Sequence, residues 1–545
     1  MIKSSFSFWL EQWLFRHRTS FLVLFLILTA ILLGFATQTK VDARFEKQLP
    51  LGHDYIQKFR EYESEFGGAN RVILAMIVEE GEIFNEDYFN KLDSLTKDVY
   101  AMPGVDQASV TSLFTPNVRF TEVVEDGFTG GNVVPADFAN TLQDLAKVKE
   151  NVLKSNYMGR LVTDSFNGAM VMANLLDIDP DTKKPLDTFV VASALESLRE
   201  KYESEAVKVH VIGFSKVMGD IRDGALNVIF FFCVTIVVTA LLVWLYSQSF
   251  IFSVLPMGCS LAAVAWQLGI IHLMGFGIDP MSILVPFLVF AIGVSHGVQM
   301  VRVFRDQLFH GEEALVAARK AFRELLIPGG VALLTDTIGF ITILLIPVPT
   351  IRELAIAASV GVAAIIVTNL ILLPLLLSYQ KPNHDYRERV AKRKIKTKKF
   401  WKKVSLVSEL RVAKWLVVIG VLLFVFGFDQ ATRVEVGDLH AGVPELRSES
   451  RYNRDTAAIT DNFNLGVDVL IAFAETVKDG SVDYEVMELL DRFEWHLKNI
   501  EGVKSVLGLA GMARKINSGY SEGSLKWQVL PFNRDMLAQA VGRVE

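Results

Sequence analysis

His296 lies in the segment GVSHGVQM, inside an apolar run over residues 281–301. About 20 apolar residues cover the ~30 Å hydrocarbon of a bilayer, so this run is long enough to cross one. A titratable side chain costs free energy in lipid, so it faces protein or water and marks a pathway or a relay. Gly293 and Gly297 are four apart, the small-xxx-small spacing that lets a second helix come close. At the helical period, Ser282, Pro286, Gly293, His296, Gly297 and Met300 share one face. The opposite side is Val, Leu, Ile and Phe, so the polar stripe is expected to pack inward.

A carboxylate follows in the next run, where LLTDTIGF carries Asp336. If the two helices are antiparallel, counting along them from one side puts His296 about 9 Å deep and Asp336 about 12 Å deep. Gly329, Ala332, Asp336, Gly339 and Ile343 share a second face lined by small residues. The expectation is a His296–Asp336 pair that changes protonation during turnover, since an imidazole is the side chain whose charge changes most readily near neutral pH. A static polar pair that fixes helix register is the alternative. Ser295, Thr335 and Thr337 would either extend a hydrogen-bonded path or act as packing hydroxyls. The charges at Asp220, Arg222, Asp223, Asp279, Arg352 and Glu353 read as interfacial, as does His272, and Gln267 reads as a polar tie between helices.

The elements that must position these groups are mostly membrane spans. The chain has 545 residues, 51% apolar, with net charge −6, which argues for an integral membrane protein and against nucleic acid as a partner. Apolar runs are read at 21–38 (first span), 224–246, 250–274, 281–301, 326–346, 355–377 and 413–429. Residues 1–20 read as a cytoplasmic N-terminus, and the first run as an uncleaved span rather than a signal peptide. The 302–324 link carries charges at helical spacing and is expected as an amphipathic surface helix. A basic linker over 379–412, including KRKIKTKKFWKK, reads as cytoplasmic by the positive-inside rule, or as an anchor for anionic lipid. That places residues 39–222 and 430–545 on the other side.

The first of those segments alternates strand and helix patterns. Strands are expected at 71–80, 105–113, 167–176 and 207–214, with helices at 87–102 and 187–203, in the manner of split βαβ units. Cys233 and Cys259 both lie in apolar runs, so neither a disulfide framework nor a zinc site is indicated. No Walker loop, nucleophile elbow or HExxH occurs, so an enzyme is not indicated, no cofactor is implied, and a transporter would need an ion gradient.

The chain also repeats itself. LGFATQTKVDARFEKQLP corresponds to FGFDQATRVEVGDLHAGVP, Phe66 to Phe463, and Gly104 to Gly502. Such duplication is common in transporters. The second copy matches the first only to about residue 147, so five further spans are expected. The chain then reads as a fragment, or as a half-unit that works with a partner subunit.

This layout resembles the resistance-nodulation-division (RND) superfamily, and within it the hydrophobe exporters of the mycobacterial-membrane-protein-large (MMPL) group. Patched and the sterol-sensing domain look like more distant relatives. The stretch ALLTDTIGFITILLIPVPTIRELAIAASVGVAAIIVTNLILLPLLL is similar to that group's fifth and sixth spans. The resemblance implies an α+β membrane protein, with seven of an expected twelve spans, periplasmic βαβ-type porter domains and an incomplete second repeat. It implies a bacterial inner-membrane exporter of lipids or drugs driven by proton antiport, meeting membrane lipids and periplasmic or outer-membrane partner proteins. Relatives carry acidic residues on the fourth span, where this chain has GVSHG instead. Two other readings stay open: a lipid- or sterol-binding sensor without transport, and a protein-translocation auxiliary.

Overall fold

A computed structural model describes every residue except 1–4, 40–46, 48, 67–69, 125–126, 177, 181–182, 185, 280, 381–385, 387–397, 399, 436, 438–441, 445, 466–469 and 544–545. Half of the basic linker therefore lies outside the described residues, as does the KVDARFE stretch of the repeat. The chain divides into two compact units. One holds Met1–Tyr62 and Arg222–Val436, the other Glu63–Ile221 and Gly437–Glu545.

In chain order, α1 (Ser5–Arg16) and α2 (Arg18–Ala36) meet at His17, whose backbone leaves the helical region. The expected N-terminal tail is thus largely a helix. It buries Glu11, Leu14 and Phe15 and exposes Phe8, Trp9 and Trp13, an aromatic face suited to a membrane surface. Helix α3 (Asp54–Phe66) leads to β1 (Arg71–Val78) and α4 (Glu86–Tyr100), whose N-terminus is capped by Asn85 accepting from the Tyr88 N–H. A hairpin of β2 (Arg119–Val124) and β3 (Gly127–Asn132) follows, which no alternation in the sequence had announced. Next come α5 (Leu142–Lys154), β4 (Gly168–Asn174), α6 (Thr188–Tyr202) and β5 (Val207–Gly213).

These strands form an antiparallel sheet in the order β4-β1-β5. Leu74 of β1 lies opposite Val171 on one side and Val211 on the other. β4, α6 and β5 make a split βαβ unit with β1 inserted between its strands. β1 is buried on both faces, with Val72, Leu74 and Met76 inside on one and Ala75 and Ile77 on the other, which is why it reads as a continuous apolar run. The strand expected at 105–113 is replaced by a 3-10 turn, Gln107–Ser109, flanked by single bridges from Val105 to Leu175 and Thr111 to Met172. Asp106 caps that turn from its own side chain, which draws the backbone away from a ladder.

Besides α2, the membrane helices are α7 (Phe214–Ser247), α8 (Phe250–Leu273), α9 (Val285–Phe309), α10 (Ala314–Thr342), α11 (Pro349–Val367), the short α12 (Leu373–Leu377) and α13 (Leu410–Ala431). A π-helical turn, Thr368–Leu372, joins α11 to α12. Among the described residues, seven helical segments are long and apolar enough to cross a membrane. The separate surface helix expected over 302–324 does not exist. Its residues finish α9 and start α10, and the chain reverses at Gly311, where φ is +89°. α8, α9 and α11 form the centre of this unit, with Phe290, Phe304 and Phe322 among its fully buried side chains. α13 buries none of its own side chains.

The second copy of the repeat supplies α14 (Arg451–Asn462), α15 (Tyr484–Lys498), α16 (Leu509–Gly519) and α17 (Arg534–Val541). Among the described residues its counterpart of β1 carries no strand over 470–476, and Leu470 and Ile471 are exposed. β1 is held between β4 and β5, whereas among the described residues no strand pairs with 470–476. A strand without partners leaves its backbone groups unpaired and is not stable alone.

Candidate functional site in the membrane bundle

The polar face read from the sequence of α9 is the face that packs. Gly293, Gly297 and Met300 are buried, as is Ser282 just before it, while Pro286 and His296 are half-buried. A Cβ added at Gly293 would lie 2.7 Å from Ser260 Oγ, and one at Gly297 would lie 2.6 Å from the Cβ of Pro256. α8 therefore lies directly on the glycines, as the small-residue spacing requires. The Gly297 position also faces Asn369, whose Oδ1 would be 2.9 Å from the added Cβ.

Asn369 was not singled out by the sequence. It is fully buried, donates from Nδ2 to Thr368 Oγ at 3.2 Å, and has an Oδ1 with no hydrogen-bond partner among the described residues. It stands in the π turn before Pro374. Proline has no N–H to give the carbonyl four residues earlier and its ring crowds that carbonyl, so a widened turn relieves the helix there. The signal available was one amide in an apolar run of more than a dozen residues, shortly before a proline.

His296 sits on the same turn of α9 as Gly297. Its Nδ1 lies 3.1 Å from the Ile292 carbonyl. A carbonyl can only accept, so that contact places a hydrogen on Nδ1 and leaves Nε2 as the nitrogen able to take a further proton. The expected partner is not there. No hydrogen bond or ion pair joins His296 to Asp336 among the described residues, and Asp336 is exposed on α10. Its neighbours on that face, Ala332 and Gly339, are exposed too, and nothing lies within 4 Å of a Cβ built at Gly339. α10 turns Leu333 inward instead. Equal depth follows from counting residues along a helix, but direction toward a neighbour does not. Ser295 and Thr335 are exposed, and the hydroxyls of Thr335 and Thr337 donate to carbonyls one turn earlier in α10.

A second polar cluster lies where α8 ends and α11 begins. Lys47 Nζ is 2.6 Å from Glu353 Oε1. Gln267, Phe276, Gly277, Ile278, Ser282 and Glu353 are among the residues that line a cavity of about 10 Å³, room for one water. Gln267 Oε1 and Glu353 Oε2 have no donor among the described residues. Asp279, 1% exposed, uses Oδ1 to accept from the N–H groups of Met281 and Ser282 at the start of the next helix, and its Oδ2 has no partner among the described residues. Asp279, read as interfacial, is thus buried, Glu353 is largely so, and Gln267, read as a tie between helices, is buried as well. Elsewhere in this unit Glu11, 2% exposed, is held by Arg319 and Arg323.

In the other unit, Asp455 of α14 gathers four donors, three from α6 and β5 and one, Arg451, from its own helix. Arg199 Nη2 approaches Oδ2 at 2.6 Å and the Val211 N–H at 3.2 Å, while His210 Nδ1 and Arg451 Nε lie 2.9 Å and 3.2 Å from Oδ1. Deeper in, Tyr88 Oη donates to the Met76 carbonyl and accepts from the Ala169 N–H, tying α4 to β1 and β4. Burial drives the Tyr88 phenol far above its ordinary pKa, with the Ala169 amide pulling weakly the other way.

The MMPL family model matches residues 121–412, more than half of the chain, and the protein belongs to the MMPL family. It is also similar to a chain from Methanocaldococcus jannaschii whose name describes it only as a membrane protein. The two are 23% identical over 378 residues, 67% of this chain and 91% of that one. The protein is a multi-pass, helical membrane protein of a transporter family.

Proposed function

We propose that the protein is an RND-type exporter of a bacterial inner membrane, moving hydrophobic or amphiphilic molecules outward by proton antiport, with its soluble segments on the periplasmic side. Family membership supports the transporter class. The sequence offers no nucleotide-binding motif, which directs the energy source to an ion gradient. The observation that carries the reading is the polar step at Asn369 and His296. A buried amide oxygen without a donor costs about 1–3 kcal/mol, and an apolar side chain would avoid that cost. Its position against Gly297, on the turn that carries His296, supports a route for protons at the crossing of α8, α9 and the π turn.

In this reading His296 takes and releases the proton at Nε2, and Asn369 orients water or the imidazole when the helices shift. Asp336, on the exposed face of α10, acts apart from His296 rather than as its fixed partner. The test is export of a fluorescent lipid from proteoliposomes under an imposed pH gradient. His296→Ala and Asn369→Leu should both slow export and flatten its pH dependence at equal protein density. If a protonophore leaves the wild-type rate unchanged, proton coupling is wrong whatever the variants do.

A further inference from the structure

The soluble unit contains a larger and more polar opening than any so far used. A cavity of about 280 Å³ lies along β4, the outer strand of the sheet. Met172, Ala173 and Asn174 form its floor, and Arg71, Tyr157 and Arg160 stand around it. Two segments make the wall: the Gln107–Ser109 turn, bridged to β4 through Thr111, and the loop through Tyr157 to Leu161.

Its donors are two guanidinium groups. Among the described residues neither Arg71 nor Arg160 has a carboxylate partner. Arg71 uses Nε to donate to Asn174 Oδ1 at 3.1 Å, which fixes the side chain across the β1–β4 pair and leaves both of its Nη groups unspent. The hydroxyls nearby are committed elsewhere: Ser109 donates to the Asp106 carbonyl, Thr111 to the Ser109 carbonyl and Tyr157 to the Asn117 carbonyl. So the charge of the cleft comes from arginine, and the guanidinium groups supply most of its free donors, with Asn174 Nδ2 beside them. A guanidinium matches the paired oxygens of a phosphate or carboxylate and holds them by charge-assisted bonds. The volume is at the small end of ligand pockets, about 300–1,000 Å³, enough for a headgroup but not for an acyl chain.

We propose that this cleft binds the anionic headgroup, phosphate or carboxylate, of an amphiphilic cargo, with Arg71 and Arg160 as its two anchors. The word cargo rests on the exporter reading above; the binding site does not. The apolar side chains of Leu161 and Met172 line the same opening and suit the first carbons behind a headgroup.

The experiment is binding to the purified full chain in a neutral detergent, with dioctanoyl phosphatidylglycerol, dioctanoyl phosphatidylcholine and inorganic phosphate as probes. Phosphatidylglycerol should bind and phosphatidylcholine should bind far more weakly. Inorganic phosphate should compete, but with lower affinity than the lipid. Arg160→Gln should weaken phosphatidylglycerol binding about tenfold or more, because it removes a charged donor. Arg119→Gln, an exposed arginine on β2, should leave it unchanged. Arg71→Gln also cuts the tie to Asn174, so Arg160→Gln is the deciding variant. Equal binding of the two lipids, or unchanged binding in Arg160→Gln, overturns the proposal. Inorganic phosphate binding as tightly as the lipid overturns the headgroup assignment in favour of a free anion. Vesicles that move no lipid while the binding differences persist would count against the exporter reading alone.

Discussion

Asp455 and Arg199 are 256 residues apart in sequence and 2.6 Å apart in the fold, both almost wholly buried. The pair fastens α14, from the second copy of the repeat, to α6 and β5 of the first. Removing one partner leaves the other charge buried and uncompensated, which costs about 3–5 kcal/mol. Asp455→Leu should therefore destabilise this unit by that order, and Arg199→Met likewise. The double variant Asp455→Leu with Arg199→Met should recover part of the loss, since neither charge of the pair is left facing an empty site, although Val211, His210 and Arg451 still lose their acceptor. Urea unfolding of the four proteins checks this; purely additive losses would mean that the two charges do not depend on each other.

A milder, pH-dependent contribution comes from Asp98. Burial raises its pKa, but hydrogen bonds from Lys201 Nζ and Tyr202 Oη, both at 2.6 Å, outweigh it and leave the carboxyl below its ordinary range. A folded-state pKa below the unfolded one stabilises the protein at pH values above the unfolded value, about 3.9, and that contribution disappears as pH falls through the folded value. Wild type should thus be more stable than Asp98→Asn at pH 7, with the gap closing in acid. Denaturation midpoints at pH 7, 5 and 3 measure it. A gap that widens toward pH 3 would reverse the assigned sign.

The glycines of α9 and α10 should behave differently although they look alike in sequence. Gly297→Ala puts a methyl against Pro256 and Asn369, whereas Gly339→Ala meets nothing within 4 Å. Overpacking of a tight contact costs roughly 1–3 kcal/mol. The first substitution should lower the melting temperature in detergent and the second should not. Equal effects would show that α8 does not rest on Gly297.

That contrast also marks how far sequence could lead. The inward face of α9 was legible because its polar and small residues recur at the helical period within one element. Strands β1, β4 and β5 and helices α4 and α6 were legible for the same reason, being set by patterns a few residues long. The open face of α10 carries the same small residues, but which face is covered depends on neighbouring helices that local pattern does not encode. The Asp455 cluster was invisible because its members come from distant stretches and none looks unusual alone. Asn369 and the Arg71–Arg160 cleft were missed because each is an ordinary residue until packing strips away its partners.

The last prediction concerns His296 and Asp336, which the structure leaves unconnected. Residues that share no contact or hydrogen bond usually give effects that add within about 0.3–0.5 kcal/mol. A cycle of His296→Ala, Asp336→Asn and the double variant should therefore be additive in thermal stability. Transport should separate them further: His296→Ala should flatten the pH dependence of export, whereas Asp336→Asn should change the rate less and keep the shape of the profile. Because Asp336 is exposed on α10, replacing its carboxyl by an amide disturbs no buried partner. A coupling well above 1 kcal/mol in the cycle would mean that the two groups interact in the folded protein after all. The direct imidazole–carboxylate relay would then be restored as the proton path, with Asn369 reduced to a packing role.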